Sequence, residues 1–254
     1  MTDFAWSAFK EFCEHYRKKI DEWSSLSGEL TELQKKAALD AKTPSYSFET
    51  AVVYNRDLDK IQKDDDIKLI VIGDNPGKDE QLLKNNRYLV GQAGKIGEGF
   101  FRRNAELGID FRKNVIILNK TPVHSAKTAQ LKKIQSLGGK KIQELILESQ
   151  LWMAQRTAKL QQELGAELWL VGYSELKEKG IFSAYRDELK SQYIQNGNFI
   201  DDWEKVFVFQ HFSMNRFTID LTSFESQLAE RNVPLIQKIH ELGKLHKNEI
   251  FMEI

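Results

Sequence analysis

The chain has 254 residues, 41% of them hydrophobic and 29% charged, with 37 Lys and Arg against 37 Asp and Glu. It is long enough to bury a large core, and zero formal net charge argues against a protein that coats nucleic acid through bulk charge. The chain has no run of about 18 apolar residues, Met1-Thr2-Asp3-Phe4 lacks the basic-then-apolar order of a signal peptide, and Cys13 as the single cysteine excludes an internal disulfide, a four-cysteine zinc site or an iron–sulfur cluster from this chain alone, so a cytoplasmic protein without membrane contact or cofactor is expected.

Residues 1–60 read as a helical annex. Phe4, Trp6, Phe9, Phe12, Cys13 and Tyr16 recur at three-and-four spacing and describe a packing face, with Cys13 a small buried member. Leu30, Leu33 and Ala37 mark a second helix that ends before Thr43-Pro44, and Asp64-Asp65-Asp66 reads as a turn into the first strand. Four short apolar runs then have the composition of strands buried on both faces: 67–72, 115–118, 167–171 and 206–209. Helical patterns separate them over 94–107, about 141–164, 175–179 and 185–193. Alternation of this kind implies right-handed crossovers, hence a three-layer α/β/α sandwich with a four-stranded parallel sheet over 61–218. Residues 219–254 read as C-terminal helices: Thr222 and Glu225 have capping-box spacing ahead of a run to Glu230, and Pro234 opens a segment to Leu245. His240 and His246 fall on that Lys-rich tail and read as surface residues. With no repeat or linker, a single domain is expected.

Ligands of open parallel sheets bind beyond the carboxyl ends of the strands, so the residues after each apolar run carry the functional information. Gly73-Asp74-Asn75-Pro76-Gly77 follows the first run; Gly and Pro turn the chain there and hold a carboxylate and an amide at the sheet edge, or else Asp74 or Asn75 caps a helix. The spacing of a phosphate-binding Walker loop is not met. Asn119 follows the second run, and its planar amide suits bidentate reading of a base edge or an imide. After the fourth run comes His211-Phe212-Ser213, where an imidazole can donate to a developing oxyanion or simply be satisfied locally. Between Phe111 and Gln143 there is no acidic residue but eight basic ones, Lys120 and Lys127 among them; such a run is a solvated face or, beside a cleft, a phosphate-binding rim.

In order and spacing these motifs resemble the uracil-DNA glycosylase superfamily. Asp74-Asn75-Pro76-Gly77 is similar to its first motif, Arg87-Tyr88-Leu89-Val90-Gly91-Gln92-Ala93-Gly94 to a signature of its bacterial iron–sulfur branch, the strand ending in Asn119 to the one that reads uracil, and His211-Phe212-Ser213 to its His-Pro-Ser motif. The resemblance implies hydrolysis of the N-glycosidic bond of uracil or another deaminated base flipped out of DNA, with the free base as product. It implies Asp74 or Asn75 on the attacking water, His211 on the leaving base, and Asn119, Gly73, Tyr88 and Leu89 around that base. Gly91, Ser213, Arg216, Lys120 and Lys127 would meet the DNA, and Met214 would be the apolar wedge that fills the vacated stack. This chain departs from the pattern in three ways: it lacks the cluster cysteines, Phe212 replaces proline, and Leu89 stands where the base-stacking aromatic is expected, with Tyr88, Phe100 or Phe101 as substitutes. The alternatives are a non-catalytic member that binds a base, nucleotide or nucleic acid through the same cleft, and a small-molecule hydrolase unrelated to DNA.

Overall fold

A computed structural model describes residues 1–194, 200–228 and 232–252. Helices α1 (Asp3–Ser24) and α2 (Ser27–Asp40) lead into an extended stretch that carries a 3-10 turn at Arg56–Lys60. Strand β1 (Leu69–Gly73), helix α3 (Gln92–Arg103), strand β2 (Val115–Asn119), helices α4 (Ala129–Leu137) and α5 (Gly139–Leu164) and strand β3 (Glu167–Val171) follow. Then come α6 (Tyr173–Leu176), α7 (Ser183–Ile194), α8 (Ile200–Glu204), β4 (Val206–Phe209), α9 (Arg216–Gln227) and α10 (Leu235–Phe251). All four strands are parallel, in the order β2-β1-β3-β4, so the expected α/β/α sandwich is the observed fold.

The alternation of side chains along each strand builds the two outer layers. Ile70, Ile72, Leu118, Leu170 and Val208 face one core shared with α1, α2, α4, α5 and α7. Val71, Ile117, Trp169, Val171 and Phe209 face the other, shared with α3, α9 and the first half of α10. Trp169 is fully buried between Phe101, Phe209 and Phe217. Truncating it to Ala would cost roughly 3–5 kcal/mol. The annex is part of this packing: Phe9, Phe12, Tyr16 and Trp23 join the first core against α5, while Phe4 points to solvent. Cys13 is buried, and burial pushes its thiol up to about 12.

Three expectations are corrected by packing. The helix expected after a cap at Thr222 begins at Arg216 instead, because Asn215 takes a left-handed conformation and the Phe217 N–H already returns to the His211 carbonyl; the Glu230 end of that run lies outside the described residues. His246 is buried, its ring 4.6 Å from that of Tyr173 and its Nε2 3.6 Å from Asp220. His240 is half-buried, stacked on Phe207 and bonded to Glu167. The helical spacing of α10 turns both inward, which its lysine content conceals. The residues from 129 to 137 also form α4, ahead of the long helix. No helix among the described residues is long and apolar enough to cross a membrane.

The strand order fixes where a ligand fits. From β1 the chain crosses to β2 over the face of α3, whereas from β3 it crosses to β4 over the face of α7. The loops after β1 and β3 therefore diverge, and a crevice opens between adjacent strands at their carboxyl ends. Asp74 and Gly172 are the first residues past those two strands.

Candidate active site at the carboxyl edge of the sheet

Close approach of backbone and polar side chains defines this edge. Gly73 pairs in register with Asn119, and the Lys120 N–H donates to the carbonyls of Gly73 (3.0 Å) and Asp74 (3.2 Å). A Cβ on Gly73 would collide with Oδ1 of Asn119. A Cβ on Gly172, which has φ 108°, would collide with the Asp74 carboxylate. Glycine at both positions makes room for the amide and the carboxylate.

Asp74 and Lys120 form a buried ion pair. Nζ of Lys120 lies 2.7 Å from Asp74 Oδ1, donates to the Val171 carbonyl at 2.6 Å and sits 5.2 Å from the ring centre of Phe182. The lysine is fully buried and thus ties the ends of β1, β2 and β3 together; it does not reach a surface where DNA phosphate would lie, contrary to the role expected for it. Burial lowers its pKa, and the Asp74 carboxylate opposes that shift. The second carboxylate oxygen, Oδ2, receives the Thr128 hydroxyl, at 3.3 Å, and no other donor among the described residues. Asn75 faces elsewhere: its amide nitrogen donates to Ser125 Oγ (2.9 Å), the Ser125 carbonyl (3.2 Å) and the Pro76 carbonyl (3.1 Å). Of the neighbouring acid and amide, the acid lies in the crevice and the amide braces the loop.

Asn119 and His211 each bring a hydrogen-bond donor to the edge. Asn119 is 2% exposed, and its Nδ2 has no hydrogen-bond partner among the described residues. A buried amide donor left unpaired costs about 1–3 kcal/mol, so it is a position that a ligand acceptor would relieve. His211 is half-buried; its Nδ1 accepts from the Ser213 backbone N–H (3.1 Å) and pairs with the Ser213 hydroxyl (2.8 Å). That bonding leaves the proton on Nε2. Burial lowers its pKa, the Asp74 carboxylate partly offsets the fall and the Lys120 ammonium adds to it. A neutral imidazole with Nε2–H as donor results.

The loop after β1 is held by groups that sequence reasoning did not single out. His124 donates from Nδ1 to the Pro76 carbonyl (2.8 Å), and its Nε2 accepts from the Tyr46 hydroxyl (3.0 Å). Burial lowers it to about 4, so it is a neutral structural bridge. Glu80, 7% exposed, accepts from the Gly77 N–H at 3.0 Å, and burial pushes its carboxyl up to about 7.

Tyr88 does not line the crevice: its hydroxyl donates to the Val53 carbonyl (2.5 Å) and meets that of Tyr16 (2.6 Å), both in the core. Phe100 and Phe101 pack against Phe217 and Trp169 in the same core. Leu89 is buried with φ 50°, and Arg112 binds its carbonyl. No expected aromatic therefore faces a base at this point. Gly91 is half-buried and caps α3.

On the opposite rim, Ser213 is held to His211, Met214 is 68% exposed, and Arg216 is exposed at the start of α9. Met214 and Asn215 both have left-handed backbone, φ 54° and 56°, which is costly for side-chain-bearing residues and thrusts the methionine outward. Much of the basic run is neutralised by carboxylates from elsewhere: Arg112 by Glu98, Lys132 by Glu175, Lys133 by Asp40 and Lys140 by Glu144. Lys127 is exposed beside Thr128, the residue that touches Asp74, and has no carboxylate within ion-pair distance among the described residues.

Comparison with protein-family models, curated proteins and solved structures returned no match. The functional reading therefore stands on the site. The role of Lys120 was missed because its partner lies 46 residues away. The available signal was its place directly after a strand-end asparagine, level with the acidic turn of the neighbouring strand.

Proposed function

We propose that the protein is a DNA glycosylase of the uracil-DNA glycosylase type, which hydrolyses the bond between a deaminated base and its deoxyribose. The observation that carries this reading is the unpartnered Nδ2 of buried Asn119 beside the Asp74–Lys120 pair and neutral His211. A pyrimidine carbonyl supplies the acceptor that Nδ2 lacks. In the reaction the C1′–N1 bond breaks and its electron pair leaves with the base, so negative charge grows on the uracil oxygens. His211 donates from Nε2 to that charge, an interaction stronger in the transition state than in the bound substrate. Water attacks C1′ of the oxocarbenium-like sugar and gives its proton to Asp74 through Oδ2, while Lys120 holds Oδ1 and keeps the carboxylate oriented. Met214 enters the vacated stack, and Arg216, Ser213 and Lys127 meet backbone phosphates, repaying the few kcal/mol of base flipping.

That Tyr88, Phe100 and Phe101 all turn into the core, away from the crevice, favours a second reading, a base-binding protein without turnover. Labelled single- and double-stranded oligonucleotides that contain uracil, hypoxanthine or xanthine separate the two. Alkali-sensitive sites should form with at least one of them. Binding without any abasic site, at high enzyme and low salt, supports the second reading and rejects the first.

A further inference from the structure

The chain between α2 and β1 carries two half-exposed aromatic rings that border the loop after β1 through His124; Tyr46 and Phe48 lie with ring centres 4.3 Å apart and planes 34° from parallel. They belong to no helix or strand, yet they are rigidly held. Fully buried Gln81, from the loop after β1, accepts at Oε1 from the N–H groups of Glu49 (2.7 Å) and Thr50 (3.1 Å) and donates to the Ser47 carbonyl (2.6 Å). The Tyr46 hydroxyl is fixed on His124, which in turn holds Pro76 next to Asn75. The platform is thus two hydrogen bonds from the turn that positions Asp74.

Its chemistry selects an occupant. Exposed Lys78 lies 5.9 Å from the Tyr46 ring centre and has no carboxylate within ion-pair distance among the described residues. A tilted stack of two aromatic rings with one cation at its border matches a nucleobase and the phosphate that follows it. Because the segment is prefixed by Gln81 and His124, little ordering is needed when a ring stacks on it.

We propose that Tyr46 and Phe48 are a stacking platform for an unpaired base that flanks the target in the same DNA strand, with Lys78 on its phosphate; this rests on the glycosylase reading above and makes single-stranded or locally opened DNA the preferred substrate. A paired base within a duplex offers no free face to the platform, so the rings discriminate between the two forms of DNA.

The test is fluorescence anisotropy with a short, labelled, uracil-free oligonucleotide, single-stranded or annealed, at low salt. Replacing both rings (Tyr46→Ala with Phe48→Ala) should weaken single-strand binding on the order of tenfold to a hundredfold and leave duplex binding unchanged. Tyr46→Phe, which keeps the ring and loses only the hydroxyl bond to His124, should retain most of the single-strand affinity, a loss of no more than a few-fold. If thermal melting shows the double variant unfolded, Phe48→Ala alone carries the same expectation at about tenfold. Equal single-strand affinity in wild type and folded variant, equal loss on duplex, or no single-strand binding by wild type would each overturn the platform. Uracil release is scored separately: loss of single-strand binding in a protein that releases no base leaves the platform standing and removes the glycosylase reading, whereas release with unchanged binding does the reverse.

Discussion

Replacing Lys120 by Met tests the buried pair at the heart of the site. The substitution keeps an unbranched chain of similar length and removes the ammonium, so the Asp74 side chain, 11% exposed, loses its 2.7 Å partner and the Val171 carbonyl loses its 2.6 Å donor. Removing one member of a buried ion pair costs about 3–5 kcal/mol, because the other charge stays desolvated. An orphaned buried carbonyl alone costs about 1–3 kcal/mol, and that loss is contained in the same range. Against a total stability of roughly 5–15 kcal/mol, the expected drop is large. Urea unfolding at pH 7, followed by tryptophan fluorescence, should show a lower midpoint with an unchanged slope. In Lys120→Met/Asp74→Asn the uncompensated charge is gone, so the double variant should be more stable than Lys120→Met, with a coupling energy of about 2 kcal/mol or more. A Lys120→Met protein within about 1 kcal/mol of wild type, or a strictly additive cycle, would refute the pairing.

Tyr88→Phe removes two buried hydroxyl contacts and should lower stability by about 1–3 kcal/mol while leaving uracil excision at the wild-type rate; reduced excision without lost stability would mean that Tyr88 acts on the base after all. For Glu80 the sign runs with protonation: its folded pKa is raised from 4.5 to about 7, so the folded chain binds the extra proton, and the stability it contributes is complete below pH 4.5 and lost as pH rises through about 7. Glu80→Gln lacks that slope, and its stability relative to wild type should improve by about 3 kcal/mol between pH 4.5 and 7; parallel curves in denaturant melts across that range would contradict the assignment.

What could be read from the chain was whatever local pattern dictates. Strands such as Val115–Asn119 announce themselves because burial on both faces demands an unbroken apolar run, and parallel alternation with helices then leaves few arrangements. The same logic places Asp74, Asn119 and His211 at one edge from the sequence alone. What escaped depends on partners distant in sequence. Tyr88 looked like a base-stacking substitute, but its hydroxyl is matched by Tyr16, 72 residues earlier, and that bond draws the ring into the core. Lys120 looked like one more cation in a basic run until Asp74 was seen across the strand ends. The start of α9 was missed because two consecutive left-handed residues, Met214 and Asn215, replace the side-chain cap that the Thr222 spacing advertised. That Asn75 braces the loop while Asp74 lies in the crevice depends on Ser125, 50 residues on, which holds the amide.

The central claim is that Asn119, His211 and Asp74 act together on a glycosidic bond. Single-turnover excision of uracil from a labelled oligonucleotide, measured for wild type, Asn119→Ala and His211→Ala, tests it most directly. The account predicts excision by wild type and a rate lower by on the order of 100-fold or more in each variant, equivalent to a few kcal/mol of barrier. Wild-type rates in both variants, or no excision by the wild-type protein, would contradict it.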